Sequence, residues 1–335
     1  MFVAIAAHFV VAMVAPILVR KFGRNTFALL ALVPAVTAVY VLTHAPSGLA
    51  GHAAVETVNW IPQFGISLSL RLDPLAWLFE LIVSGIGALV LLYCSRYFKN
   101  NEPGLGRFAG VFLAFAGAMA GLIVADDVMI MFVFWELTTI FSYLLIGHYA
   151  TKRSSRRAAM NALISTTGGG LAMMVGLLMI GFEAGTLRIS EIVESAAFAH
   201  PGTALVVALA LVAVGAATKS ALVPGHFWLP GAMAAPTPVS AYLHAAAMVK
   251  AGIYLMLRFA PLYSAVEPLT LVMSALGVLT MIVGGWRAMR QTDLKLLLAY
   301  GTVSQLGFMA SIAAIGTPHA VFAALALVLA HALFK

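Results

Sequence analysis

The run GAATKSALVPGHFWLPGAMAAPTPVSAYLHAAAMVKAG, residues 215–252, decides how this chain folds. It lies in a strongly apolar region yet carries two lysines, two histidines and four prolines. A lysine at lipid depth is costly, so an intramembrane ionisable residue marks a functional site by default. Lys219 stands five residues ahead of Pro224, and Pro230, Pro236 and Pro238 follow at short intervals. Proline removes a backbone donor and clashes with the preceding turn, so the stretch predicts an interrupted helix. Broken backbone at membrane depth is tolerated only where protein buries it or water reaches it. Lys219, near the C-terminal end of the first half-helix, sits where the helix dipole favours a cation. The pattern is that of an ion path, a device built in transporters from discontinuous helices.

The remainder of the chain fits a membrane setting. Hydrophobic residues make up 62% of its 335 residues and charged residues 9%, with a mean hydropathy of +1.02. Soluble domains carry roughly a quarter charged residues, so the composition predicts an all-α polytopic membrane protein. A single cysteine, Cys94, excludes an intrachain disulfide and any multi-cysteine cluster. No cofactor and no metal site is expected. No basic n-region precedes the first apolar run, so a cleavable signal is not expected either.

Apolar runs of the length a bilayer helix needs give eleven spans, near 2–19, 26–43, 75–95, 108–124, 128–148, 158–182, 203–223, 237–257, 268–286, 294–315 and 318–335. The polar–aromatic connection 44–74 reads as a short hairpin or an interfacial element. The connection 182–201 places Ile189, Ile192, Val193 and Ala196 at helical spacing and reads as a helix lying on the membrane surface.

Charge placement sets an orientation. With the N-terminus outside, thirteen of the nineteen basic residues fall on the inner side, in the groups Arg20–Arg24, Arg96–Arg107, Lys152–Arg157 and Arg287–Lys295. Only Arg71, Arg188 and Arg258 fall outside, and Lys219, Lys250 and Lys335 lie within spans. This is the positive-inside bias of a cytoplasmic membrane protein, and it accounts for the net charge of +7 without a nucleic-acid partner.

Two acidic residues lie within spans. Glu136, in VFWELTTIFSYLL, is too deep to reach water easily, and a role is the favoured reading over a merely neutralised acid. Glu80, in WLFELIV, lies in the outer third of its span and fits a neighbouring pair, a wet cleft or a functional role. Opposite charges stabilise one another, so Glu136 and Lys219 are expected to pair. His8, His44, His52, His148, His200 and His319 fall near span ends and read as interfacial. His244 is mid-span, and His331 precedes Lys335 by four residues on one helical face. A buried neutral histidine is the commoner case, but lysine, histidine and lysine on successive spans also suit a proton relay. The small-residue runs 117–121, 166–170 and 283–285 read as close helix packing.

Four runs carry a family resemblance: FVFWELTTIFSYLLIGHY (132–149), TKSALVPGHFWLPGAMAAPTPVSAYLHAAAMVKAGIYL (218–255), TDLKLLLAYGTVSQLGFM (292–309) and HALFK (331–335). They resemble the antiporter-like membrane subunits of the complex I superfamily. With SLSLRLDPLAWLFELIVSGIGALVLLYCSRYF (67–98) added, the chain is most similar to the large A subunit of Mrp-type sodium/proton antiporters. The resemblance implies three leading helices (1–107), a first five-helix inverted repeat carrying the ion path (108–257) and the start of a second repeat (258–335). It implies a proton path through Glu136, Lys219 and Lys250, with His244, His331 and Lys335 along the polar axis. It implies partner subunits in a hetero-oligomeric complex in a bacterial cytoplasmic membrane, with protons and Na⁺ as the transported ions. The sequence stops at Lys335 inside an apolar helix, so the resemblance implies an N-terminal fragment whose second broken helix lies beyond it. A proton-pumping subunit of respiratory complex I or of a membrane-bound hydrogenase is the alternative, since those proteins share the motif residues. A passive scaffold leaves the buried charges without explanation.

Overall fold

A computed structural model describes residues 1–44, 53–61, 63, 66–99, 102–198 and 201–335. His52 and His200 lie outside the described residues. Helix α1 (Phe2–Phe22) ends at Gly23, whose φ of 59° is open to glycine, and the chain turns back into α2 (Thr26–Leu30) and α3 (Leu32–Thr43). Strands β1 (Ala54–Ile61) and β2 (Ile66–Leu72) then pair antiparallel, so connection 44–74 contains a hairpin. The membrane-length helices that follow are α4 (Pro74–Tyr97), α5 (Leu105–Val124), α6 (Val128–Ile146) and α7 (Arg153–Ala184). After a short α8 (Ile189–Val193) come α9 (Thr203–Lys219), α10 (Trp228–Gly231) and α11 (Thr237–Ala241). The chain closes with α12 (Met248–Arg258), α13 (Ala260–Ser264), α14 (Glu267–Ala288), α15 (Leu294–Ile315) and α16 (Pro318–Phe334).

Among the described residues, eight helical stretches are long and apolar enough to cross a membrane. The first, Phe2–Thr43, contains two of the expected spans, and Thr203–Lys219 and Pro318–Phe334 are shorter apolar helices. The fold is all-α and polytopic, as composition predicts. Helix starts follow from their caps: Asp73 accepts from the Ala76 amide at 2.9 Å, Asp127 from Met129 at 2.9 Å, and Asp293 from Leu296 at 2.9 Å. Pro74 and Pro318 occupy first-turn positions, where no amide is needed.

Loops assigned to one side by charge meet at one end of the bundle. The hairpin bridges through Leu70 to Ala125, in the link between α5 and α6, and Asp127 bridges to Arg188. Arg258 closes this end by bonding Asp73 and Tyr254. At the other end, Arg107 donates to the His148 carbonyl at 3.2 Å, and Lys295 donates to the carbonyls of Met233 at 2.7 Å and Ala235 at 2.6 Å.

The apolar stripe of α8 is covered by protein, with Ile189 and Ile192 buried. Asp126 holds the segment there, accepting from the Ser190 amide at 2.9 Å and its hydroxyl at 2.8 Å. Two histidines placed at interfaces are also interior. His8 is buried against the backbone of α5 at Gly117 and donates to the Ala4 carbonyl at 2.8 Å, while His148 is buried beside Phe98 and Phe108.

Candidate functional site: a buried charge line through two interrupted helices

Helix α9 stops at Lys219, five residues before the first proline. Its end is a Schellman turn: the Leu222 amide donates to the Ala217 carbonyl at 2.8 Å and the Ala221 amide to Thr218 at 3.2 Å. Ala221 stands at the left-handed position, φ 50°, that glycine usually fills. A turn of 3₁₀ helix (Gly225–Phe227), the short α10 and a second 3₁₀ turn (Ala232–Ala234) carry the chain to Pro236. The interrupted helix is present, but the helix ends at the Schellman turn while the prolines prevent its resumption.

Lys219 is fully buried. Its ammonium donates to the Trp135 carbonyl at 3.0 Å and the Thr139 hydroxyl at 2.7 Å, and lies 4.8 Å from the Trp135 ring centroid. Hydrogen bonds to a charged group contribute about 1.5–3 kcal/mol each. A central lysine costs ~2.5–3.5 kcal/mol on insertion scales. The two bonds and the ring contact are therefore enough to hold an ammonium there.

Glu136 does not pair with Lys219 in direct contact. None of the four ion pairs among the described residues includes either group. Its Oε1 is buried without a hydrogen-bond partner, as is the Trp135 ring nitrogen. Both face Gly170 of α7, where a β-carbon would collide with Oε1 and come within 3.1 Å of the indole nitrogen. The two charges still feel one another across Trp135, and Thr167 lies beside the carboxylate. The Trp135 carbonyl and ring take the place that the carboxylate was expected to fill.

A second interruption holds the histidine. Between α11 and α12 the chain forms a π turn, Tyr242–Ala246, closed by the Ala247 amide on the Tyr242 carbonyl at 3.1 Å. Such turns cluster at functional sites. His244 is buried there with both ring nitrogens unpartnered. It lines a cavity of about 110 Å³ with Ser240, Lys295, Thr302 and Lys335, so the cavity runs from the Lys295 end of the bundle to the His244 ring. Lys250 is fully buried and donates to the Val328 carbonyl of α16 at 2.9 Å. His331, one turn on in α16, is buried near the Ala245 carbonyl, short of bonding geometry. Lys335 bonds the Leu298 carbonyl.

No two of these six residues share a hydrogen bond. Lys250 and Lys335 each lie within electrostatic reach of His331, and Lys335 and Lys295 within reach of His244. Lys219 and Lys250 are linked through their neighbours, the Ser220 hydroxyl donating to the Val249 carbonyl at 2.7 Å. Gly252 lets α12 approach that closely, since a β-carbon there would overlap the Ala216 carbonyl and the Ser220 hydroxyl.

A family profile described as NADH:quinone oxidoreductase/Mrp antiporter, TM, matches residues 125–335, the part that holds all six. The chain belongs to this family. A second profile, the N-terminus of chain 5 of NADH-ubiquinone oxidoreductase (complex I), matches residues 60–109. The A/B subunit of a probable K⁺/H⁺ antiporter of Rhizobium meliloti (strain 1021) is 45% identical over 282 residues, 83% of this chain and 28% of that protein. The A1 subunit of a Na⁺/H⁺ antiporter of Staphylococcus aureus is 39% identical over 315 residues, 94% of this chain and 39% of that protein. A chain of the Mrp complex from Dietzia sp. DQ12-45-1b superposes with a TM-score of 0.94 at 41% identity, covering 99% of this chain and 36% of that one. A chain of the membrane-bound sulfane sulfur reductase, an archaeal respiratory membrane complex, gives 0.87 at 27% identity, covering 98% of this chain and 68% of that one. The chain spans about a third of the length of the antiporter proteins it matches.

Within this antiporter-like frame, several participants were not singled out from sequence. Trp135 and Thr139 hold Lys219. Trp228 lies between the helix break and the histidine, donating to the Thr218 carbonyl at 2.9 Å with its ring 6.3 Å from that of His244. Tryptophan and threonine are ordinary packing residues in apolar helices, so composition gives no signal for them. Their position in the quoted motifs, adjacent to Glu136 and Lys219, was the available clue.

Proposed function

We propose that this chain is part of a membrane subunit of a multisubunit monovalent cation/proton antiporter in a bacterial cytoplasmic membrane. Protons pass along Glu136, Lys219, His244, Lys250, His331 and Lys335. The observation that carries this reading is the arrangement of two fully buried lysines and two unpartnered histidines around two interrupted helices. Buried polar groups without partners are uncommon, and each calls for an explanation such as a proton or water that comes and goes. The cavity below His244 admits water from the Lys295 end. Glu136, off contact from Lys219, can move toward or away from it and so bias whether the ammonium holds its proton. The antiporter relatives at 45% and 39% identity support a cation/proton exchanger, with K⁺ or Na⁺ as the coupling ion.

The Lys295 end faces the cytoplasm in this reading and the hairpin end faces outward. A single cysteine at position 154, in a cysteine-free background, is then labelled only from the cytoplasmic side.

A redox-driven proton pump is the second reading, favoured by the match to an archaeal respiratory complex. The test is transport by the complete assembled complex carrying Glu136→Gln, Lys219→Ala or Lys250→Ala. Each variant should lose cation/proton exchange at unchanged membrane abundance. Wild-type exchange in both Glu136→Gln and Lys219→Ala defeats the relay.

A further inference from the structure

Glu80 stands apart from this line, in the second turn of α4 near the hairpin end. It is buried, and its Oε2 has no hydrogen-bond partner. None of the ion pairs among the described residues reaches it. The carboxyl lines a small cavity of about 20 Å³, whose other polar side chains are Thr37 and Tyr40 of α3. A water occupies roughly 10–15 Å³ of such volume, so the space holds one. That cavity shares Met1, Ala4, Thr37 and Tyr40 with a groove of about 530 Å³ between α1 and α3. The groove opens on the outside of the bundle, and its Met1–Tyr40 end lies beside Glu56 of the hairpin.

We propose that Glu80 is a second protonatable site, separate from the Glu136–Lys219 line, which exchanges its proton through one water in the cavity beneath the α1–α3 groove. An uncompensated carboxylate in apolar surroundings is strongly disfavoured, and only something small enough for the cavity can neutralise it in place. Hard metal cations take shells of about six oxygens, and the cavity offers one carboxyl and two hydroxyls. A proton is the ligand that fits.

The surrounding groups leave the carboxyl without a fixed counter-charge. On α1, His8 bonds its own helix, and the N-terminal amine is engaged by Glu56 of β1. Tyr242, from the π turn, lies within electrostatic reach of Glu80 but gives its hydroxyl hydrogen to the Val83 carbonyl at 3.1 Å. The facing positions on α5 are Ala120 and Val124.

The test uses the purified, complete antiporter complex and infrared difference spectroscopy on a step from acid to alkaline buffer, a readout independent of transport. Wild type should show a carboxylic-acid carbonyl band that disappears on alkalinisation, is missing in Glu80→Gln, and is retained but displaced in Glu80→Asp. Ala4→Leu, which places bulk where cavity and groove meet, should slow the band's response without removing it. Identical spectra from wild type and assembled Glu80→Gln would overturn the site. A Glu80 band that ignores bulk pH would overturn the exchange. Loss of transport in the Glu136 or Lys219 variants bears on the relay alone, so the two readings fail separately.

Discussion

Three successive glycines in α7 provide a graded test of how Glu136 is held. A β-carbon at Gly168 meets nothing within 4 Å. At Gly169 it would overlap the Thr218 hydroxyl and lie 2.8 Å from the Thr218 β-carbon, beside Lys219. At Gly170 it would overlap Glu136 Oε1. Alanine in a helix interior gains about 0.5–1 kcal/mol over glycine. Gly168→Ala should therefore stabilise the protein by that amount and leave transport alone. In Gly170→Ala the obstacle is the mobile end of a side chain, so Glu136 yields before the helices part. An off-rotamer displacement costs about 0.5–1.5 kcal/mol, which nearly cancels the helix gain. Stability should thus change little while the carboxylate moves by about an ångström, a misplacement that costs reaction centres on the order of 100-fold. Cation/proton exchange in membrane vesicles containing the complete complex, corrected for the amount of complex present, should fall at least tenfold for Gly170→Ala against Gly168→Ala. Equal transport in the two variants, or equal impairment, would refute the seating of Glu136 against Gly170.

Thr139→Val removes one of the two hydrogen bonds to Lys219, worth about 1.5–3 kcal/mol. Exchange should fall sharply and recover in Thr139→Ser, measured in the same vesicles. At the hairpin end, Arg258→Met leaves Arg71, at 3.8 Å, as the only charged partner of Asp73 among the described residues, and thermal unfolding should show a loss of up to about 3–5 kcal/mol. Burial pushes Asp73 upward, but the Arg258 guanidinium, the Ala76 amide and Arg71 outweigh it and hold the carboxyl below its ordinary value. Its contribution is therefore complete above the unfolded carboxylate value of about 3.9 and is lost as pH falls through the lower folded value. Acid-induced loosening of the hairpin end, followed by limited proteolysis, should lie below that range in wild type and be absent as a separate step in Asp73→Asn.

Much of this was legible in the chain because the membrane makes sequence signals loud. Apolar length gave the helices, and the prolines after Lys219 gave the interruption. The exact stop at Lys219 was not legible, because a left-handed Ala221 replaces the glycine that would have announced it. The Glu136–Lys219 pair acts without direct contact for a related reason. Charge complementarity predicts attraction but not which neutral groups intervene, and here a backbone carbonyl and a tryptophan ring take the lysine's bonds. The glycines at 166–170 read as packing; only the three-dimensional arrangement shows that they face open space, Thr218 and Glu136 in turn. That protein covers Ile189 and Ile192 was not legible, because a short apolar stripe looks the same whether lipid or protein lies over it.

The π turn at Tyr242–Ala246 also sets a rotational phase. It carries one more residue than an α-turn spanning the same rise, so the helix before it and the helix after it are out of step by one position. One residue corresponds to about 100° around an α-helix axis. Deleting Ala245 or Ala246 would let the span close into continuous α-helix and remain long enough to cross the bilayer. It would also swing the His244 side away from the cavity wall while Lys250 stayed against α16. What the chain stores in that surplus residue is an angle, and the angle lets a single helix present its histidine and its lysine to two different neighbours.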